Sequence, residues 1–190
     1  MKPRVAVLCS GRGSNMAALI RAAQAPGYPA QIALVLSDRP EAPALALARS
    51  LGVAAFAIPA RTFGRDRAAH ERALDTALRA ENIEIICLAG YMRLLTPFLV
   101  GRWAGRMLNI HPSLLPAYPG LDTHARVLAA GEKIHGCTVH LVTEGMDEGP
   151  ILAQKAVPVL ADDTEDTLAA RVLAQEHQLY PAALAALIRN

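Results

Sequence analysis

Aromatic side chains are scarce: the chain of 190 residues has one Trp, four Tyr and three Phe. Hydrophobic residues still make up 53% of it, and much of that is Ala, a strong helix former with little side chain to bury. Cysteine is sparse as well. Cys9, Cys87 and Cys137 lie far apart with no C-x-x-C pair, which speaks against a disulfide framework and offers no structural zinc pattern. A reduced compartment is expected, with Cys9 and Cys87 packed inside buried strands. Excess charge of either sign is missing: 19 Lys+Arg face 17 Asp+Glu, a formal net charge of +2. That balance excludes a strongly basic nucleic-acid-binding domain and an acidic tail. Combined with the high apolar content, it also excludes intrinsic disorder. No apolar run approaches the roughly 20 residues of a membrane span. The run Val5 to Cys9 meets Ser10-Gly11-Arg12-Gly13 at once, which is too early for a signal peptide. The expectation is one domain over residues 1–190, cytoplasmic, with no membrane or nucleic-acid partner.

What is present is a rhythm. Apolar runs at Arg4 to Cys9, Gln31 to Ser37, Val53 to Ile58 and Glu84 to Ala89 read as strands. They alternate with helical patterns at Asn15 to Gln24, Glu41 to Leu51 and Arg65 to Glu81. Strands that are apolar on both faces belong in a parallel sheet covered by helices, so the class is α/β, doubly wound and mostly parallel. Further on, Pro97 to Trp103 reads as a short helix and Arg106 to Ile110 as a fifth strand. The segment His111 to Leu121 holds three prolines and a glycine, so it is a long ordered loop. Then come a helix at Thr123 to Ala130, a strand at Cys137 to Thr143 and an antiparallel strand at Ile151 to Leu160. A long helix closes the pattern at Thr164 to Ile188, with Pro181 set to interrupt or kink it.

Two stretches carry chemistry. Ser10-Gly11-Arg12-Gly13-Ser14-Asn15 joins the first strand to the first helix. Amides at a helix N-terminus bind anions, and glycines let a phosphate approach closely. Position 16 is Met where a dinucleotide fingerprint wants a third glycine, and no Walker lysine follows, so the loop suits a single phosphate. In a simple turn Asn15 would serve as the helix cap, and in a dinucleotide site Asp38 would take the ribose. The second stretch is Leu108-Asn109-Ile110-His111-Pro112-Ser113. Asn109 and His111 are two apart at a strand end, so period-2 geometry points both to one side. Asn donates a hydrogen bond to a developing oxyanion, and His serves as acid or base near neutral pH. A carboxylate within about 4–6 Å would favour the imidazolium. The loop Glu144-Gly145-Met146-Asp147-Glu148 offers three, and composition does not choose among Glu144, Asp147 and Glu148. His135 and His140 flank Cys137 at odd spacing, which places them on opposite faces, in packing or supporting roles with no metal.

The stretches CSGRGSNM, LAGYMRLL, GRMLNIHPSLLPAYPGLDTH, HGCTVHLVTEGMDEGPIL and AQEHQLYP together resemble the glycinamide ribonucleotide formyltransferases, a branch of the formyltransferase superfamily, along nearly the whole chain. The resemblance implies an enzyme of de novo purine biosynthesis. It would move the formyl group of 10-formyltetrahydrofolate, its co-substrate, to the amine of glycinamide ribonucleotide. It implies Asn109, His111 and Asp147 as the catalytic trio. It implies Gly11, Gly13, Ser14 and Asn15 for the ribose phosphate, with Glu176 contacting the ribonucleotide. Leu88, Met92, Arg93, Leu94, Leu95, Val142 and Thr143 would wall the folate pocket, and Arg67, with Arg65 close by, would meet the folate tail. No metal is implied, and a monomer or homodimer is expected. Methionyl-tRNA formyltransferases and formyltetrahydrofolate hydrolases share the trio but add a second domain, so the expectation is the catalytic domain alone. A non-catalytic nucleotide- or folate-binding module on the same fold is the rival of another class, and the intact trio argues against it. One departure is Asp122, which stands where many relatives have His.

Overall fold

The structure, a computed structural model, describes residues 1–189. Among them, seven strands form one sheet in the order β3-β2-β1-β4-β5-β6-β7. The strands are β1 (Arg4–Cys9), β2 (Gln31–Ser37), β3 (Ala54–Ala57), β4 (Ile85–Leu88), β5 (Met107–His111), β6 (Ile134–Leu141) and β7 (Ile151–Pro158). The first five pair in parallel, and the pairings β5–β6 and β6–β7 are antiparallel. The helices are α1 (Ser14–Gln24), α2 (Pro43–Ser50), α3 (Arg67–Ala80), α4 (Pro97–Arg102), α5 (Thr123–Ala129) and α6 (Glu165–Arg189). The class read from the sequence holds. Strand order reverses at β1 and β4, and ligands of open α/β sheets bind beyond the strand ends at such a switch point.

Period-2 alternation in β1 builds two cores. Val5, Val7 and Cys9 face one, with Met16 and Leu19 of α1, Leu45 of α2 and Leu168, Val172 and Tyr180 of α6. Ala6 and Leu8 face the other, with Leu74 and Leu78 of α3 and Leu99 and Trp103 beside α4. All three cysteines are buried free thiols, and burial pushes the Cys9 thiol up to about 12.

Several boundaries differ from expectation, each for a physical reason. Helix α2 begins at Pro43, past Glu41, because a proline's fixed φ and missing N–H suit the first helical position. Helix α3 begins at Arg67, past Arg65, because the Asp66 carboxylate caps it by accepting from the Ala69 N–H at 2.8 Å. Strand β6 spans Ile134–Leu141, three residues earlier than Cys137. Residues from His135 to His140 are buried on both faces, so polarity alternation gave no guide to its ends. His111 completes β5 instead of opening the loop. Helix α6 runs through Pro181 without interruption. The cost of an internal proline is offset by the row Leu168, Val172, Tyr180 and Leu184, all fully buried on the core side.

Candidate active site

The first turn after β1 is shaped by Gly13. Its φ of 79° lies in the left-handed region, and a Cβ there would sit 2.6 Å from the Ala44 Cβ. Only glycine allows the loop to pass this close to α2. Gly13 is also the residue preceding α1, and no side chain caps that helix, so Asn15 is not the cap. Asn15 lies inside the first turn, and its Nδ2 donates to Glu176 Oε2 at 2.6 Å. Two residues expected at one ligand are thus joined across 161 positions of chain. The Glu176 carboxyl is raised above its usual range by burial, partly opposed by the Asn15 bond. Asn15 Oδ1 is buried with no protein partner. Gly11 is exposed and Gly13 and Ser14 half-buried, so the loop stays open to a ligand.

Asp38, the ribose candidate of the dinucleotide alternative, is engaged at the start of the glycine loop. Its Oδ1 is taken by the Ser10 hydroxyl at 2.6 Å.

At β5, register does what periodicity predicts. Asn109 and His111 share a face, and antiparallel pairing sets His140 opposite Asn109 and Thr138 opposite His111. His111 is held at both ring nitrogens. Its Nε2 lies 2.9 Å from the Tyr118 carbonyl, and its Nδ1 lies 3.4 Å from Asp147 Oδ2. A carbonyl only accepts, so Nε2 carries a proton. Tyr118 and Asp147 both have φ of 56°, left-handed conformations uncommon outside glycine, so the segments that grip the imidazole on either side are strained. The same left-handed turn selects Asp147 from the acidic loop: Glu144 and Glu148 remain exposed.

Asp147 serves more than one partner. Its Oδ2 accepts from the Gly120 N–H at 2.9 Å, and its Oδ1 lies 3.6 Å from His140 Nε2. Burial acts to raise its pKa, but the His140 imidazole, the Gly120 N–H and the His111 imidazole together outweigh burial and leave it lowered. His140 is the functional candidate that sequence reasoning left in a supporting role. Its Nδ1 bonds the Leu141 carbonyl at 2.9 Å, so in the neutral ring the bare Nε2 faces Asn109 Nδ2 at 3.3 Å. That contact fixes which way the Asn109 amide points and leaves one of its two N–H groups free. The signal that would have found it is the cross-strand register of Asn109 and His140, which no single segment encodes.

The loop of residues 112–121 is tied down throughout, as its proline content implied. Ser113 donates to the Ala117 carbonyl at 2.6 Å, Thr138 donates to the Ser113 carbonyl at 2.6 Å and Arg126 donates to the Pro119 carbonyl at 2.6 Å. Asp122 stands at φ 55°, directly before α5, and caps nothing with its side chain. From α6, the Tyr180 hydroxyl lies within 2.9 Å of the Leu88 carbonyl and 3.1 Å of the Leu108 carbonyl. It pins the last residue of β4 to β5 immediately before Asn109.

The expected folate wall divides into a floor and a rim. Leu88 belongs to the second core, and Leu95 and Val142 pack against it. Met92 and Leu94 stand 62% and 60% exposed, large apolar groups left in solvent. Arg93 is half-buried and Thr143 exposed. Arg67, the first residue of α3, reaches the Leu94 carbonyl with Nη1 at 3.5 Å, whereas Arg65 precedes the helix.

An amide donor, an imidazole and a carboxylate converge here, and the class of protein this defines is a formyl transferase: the model of that family, described as formyl transferase, matches residues 3–184. The phosphoribosylglycinamide formyltransferase of Escherichia coli (strain K12) is 44% identical over 177 residues, covering 93% of this chain and 83% of that protein. The crystal structure of the Brucella melitensis phosphoribosylglycinamide formyltransferase superposes with a TM-score of 0.95 at 57% identity, covering 100% of this chain and 97% of that one. The trifunctional purine biosynthetic protein adenosine-3 of Drosophila melanogaster is 47% identical over 191 residues, but the chain spans only 14% of its length. The chain belongs to the phosphoribosylglycinamide formyltransferase family.

Proposed function

We propose that the chain transfers the formyl group of 10-formyltetrahydrofolate to the amine of 5-phosphoribosylglycinamide, giving the formylated ribonucleotide and tetrahydrofolate, with Asn109, His111 and Asp147 at the reacting atoms. The observation that carries the assignment of roles is the convergence of these three side chains, with Asp147 Oδ2 3.4 Å from His111 Nδ1. The neutral amine attacks the formyl carbon, forming a C–N bond while the carbonyl π pair moves to oxygen. The tetrahedral oxyanion then collapses, re-forming C=O and breaking the bond to the folate nitrogen, which takes up a proton; the attacking nitrogen loses one.

Asn109 donates its free N–H to the oxyanion, held in that orientation by His140. His111 offers an N–H to the same charge and passes a proton between the two nitrogens. In the free enzyme its Nε2–H rests on the Tyr118 carbonyl, so the substrate oxygen competes with that carbonyl. Asp147 stabilises the imidazolium from the far side. The ribonucleotide phosphate lies on the amides of Gly11, Gly13, Ser14 and Asn15 at the start of α1, and Glu176 meets the sugar. The apolar rim of Met92 and Leu94 over Leu88, Leu95 and Val142 suits a flat folate ring, with Arg93 and Thr143 at its border and Arg67 toward the anionic tail. Holding both substrates side by side supplies several kcal/mol of entropic advantage. Among the described residues no helix is long and apolar enough to cross a membrane. Three buried thiols fit a cytoplasmic setting.

The test is acceptor choice. Tetrahydrofolate release, followed by absorbance, is expected with the ribonucleotide as acceptor and not with water or methionyl-tRNA. Equal release with water would replace this reading by a hydrolase.

A further inference from the structure

The folate-side wall contains an irregular segment, residues 89–96, between β4 and α4. Its rim side chains Met92 and Leu94 are mostly in solvent, so packing does not hold their backbone. Hydrogen bonds from buried groups do. At one end Glu71, 2% exposed, accepts from both the N–H and the hydroxyl of Thr96, at 2.7 and 2.5 Å. At the other end stands Ser10, 3% exposed, the residue between β1 and the glycine loop. Its backbone N–H donates to the Gly90 carbonyl at 3.0 Å, and its hydroxyl oxygen accepts from the Met92 N–H at 2.9 Å. The hydroxyl has one proton, and Asp38 Oδ1 takes it at 2.6 Å. The direction of the chain is therefore fixed: Met92 N–H to Ser10 oxygen, Ser10 proton to Asp38. A carboxylate acceptor polarises the hydroxyl and strengthens its hold on the amide.

We propose that Ser10 and Asp38, placed by no previous step in the reaction, are positioning residues that set the folate-binding segment through the Met92 amide. The proposal rests on the reading that this segment receives the folate. The arrangement also gives the buried Asp38 carboxylate a partner and a purpose.

The experiment uses the full chain with Ser10→Ala, Asp38→Ala and Asp38→Asn. Ser10→Ala and Asp38→Ala are expected to raise the KM for 10-formyltetrahydrofolate and the calorimetric Kd for tetrahydrofolate by about five- to fifty-fold, the range for stranding one buried polar group. The value of kcat and the Kd for the ribonucleotide should stay within about threefold. Asp38→Asn keeps an acceptor oxygen for Ser10 and is expected to stay within about threefold of the parent. The two alanine variants combined should be no worse than either alone, since both break one chain of bonds. Unchanged folate affinity in a folded Ser10→Ala protein, or equal losses for both substrates, overturns the proposal. Should Ser10→Ala not fold, the contrast between Asp38→Ala and Asp38→Asn decides in the same way. A parent protein that does not bind tetrahydrofolate overturns the functional reading itself; a parent that binds it, with variants that bind it equally, overturns this proposal alone.

Discussion

Replacing Asp147 by Asn keeps the size of the side chain and removes its charge. Opposite unit charges 3.4 Å apart, the separation of His111 Nδ1 and Asp147 Oδ2, attract by about 5 kcal/mol at an effective dielectric near 20. The carboxylate is delocalised and still partly reached by water, so about 3–4 kcal/mol of transition-state stabilisation is the working figure. That corresponds to a loss of about 200- to 1,000-fold in kcat. The amide NH2 would face either His140 or His111, and the Gly120 N–H keeps an oxygen only in the first orientation. The glycine loop lies on another strand, so ribonucleotide binding should be untouched. The assay is single-turnover formyl transfer at saturating substrates, with the ribonucleotide Kd measured by calorimetry. A loss of less than tenfold in kcat, or a parallel loss of ribonucleotide affinity, refutes the role given to Asp147.

Three more outcomes are expected. Gly13→Ala forces a left-handed alanine and a Cβ 2.6 Å from Ala44, which should destabilise the fold by about 1–3 kcal/mol and weaken ribonucleotide binding; urea unfolding and calorimetry report both. Ser14→Glu should raise the ribonucleotide Kd by at least about tenfold through repulsion of its phosphate, with folate affinity kept, and unchanged binding would remove the loop from the site. His135 is lowered to about 4, first by burial and then by His124 and His111, and its Nε2 shares a bond with His124 Nδ1 at 3.0 Å that two protonated rings could not keep. Above its ordinary pKa of 6.5 both folded and unfolded chains hold it neutral; below that, only the unfolded chain takes the proton, so stability falls with pH until about 4. The parent should lose about 2–3 kcal/mol more than His135→Asn between pH 7.5 and 4.5 in urea unfolding, and equal losses would contradict the assignment.

The parts of this site that a sequence shows are those written in one segment. The valine-rich runs, the Gly11–Gly13 turn and the two-residue step from Asn109 to His111 each encode their geometry locally, through alternation or through a glycine's φ. The choice of Asp147 over Glu144 and Glu148 did not, because it depends on a left-handed turn that brings one carboxylate over β5. The role of His140 depends on register between two strands buried on both faces, where polarity carries no information. Asn15 looked like a cap because caps favour that residue type, but α1 begins one residue before it, and inside that first turn its Nδ2 reaches a buried carboxylate 161 positions away. Pro181 looked like a break or a kink because propensity is local, and the apolar row of α6 keeps the helix continuous through it.

The bridge made by Tyr180 has a consequence for how the enzyme comes into being. Its hydroxyl reaches back 92 and 72 positions to the Leu88 and Leu108 carbonyls, and Glu176 four residues earlier reaches Asn15. A nascent chain leaving the ribosome has already made its glycine loop, segment 89–96 and His111 long before this helix emerges. Asn15 and the Leu88 and Leu108 carbonyls gain these partners only when α6 docks. Contacts of such long range form late in folding. Catalytic competence should therefore appear only once α6 has docked, which makes turnover itself a reporter of that docking.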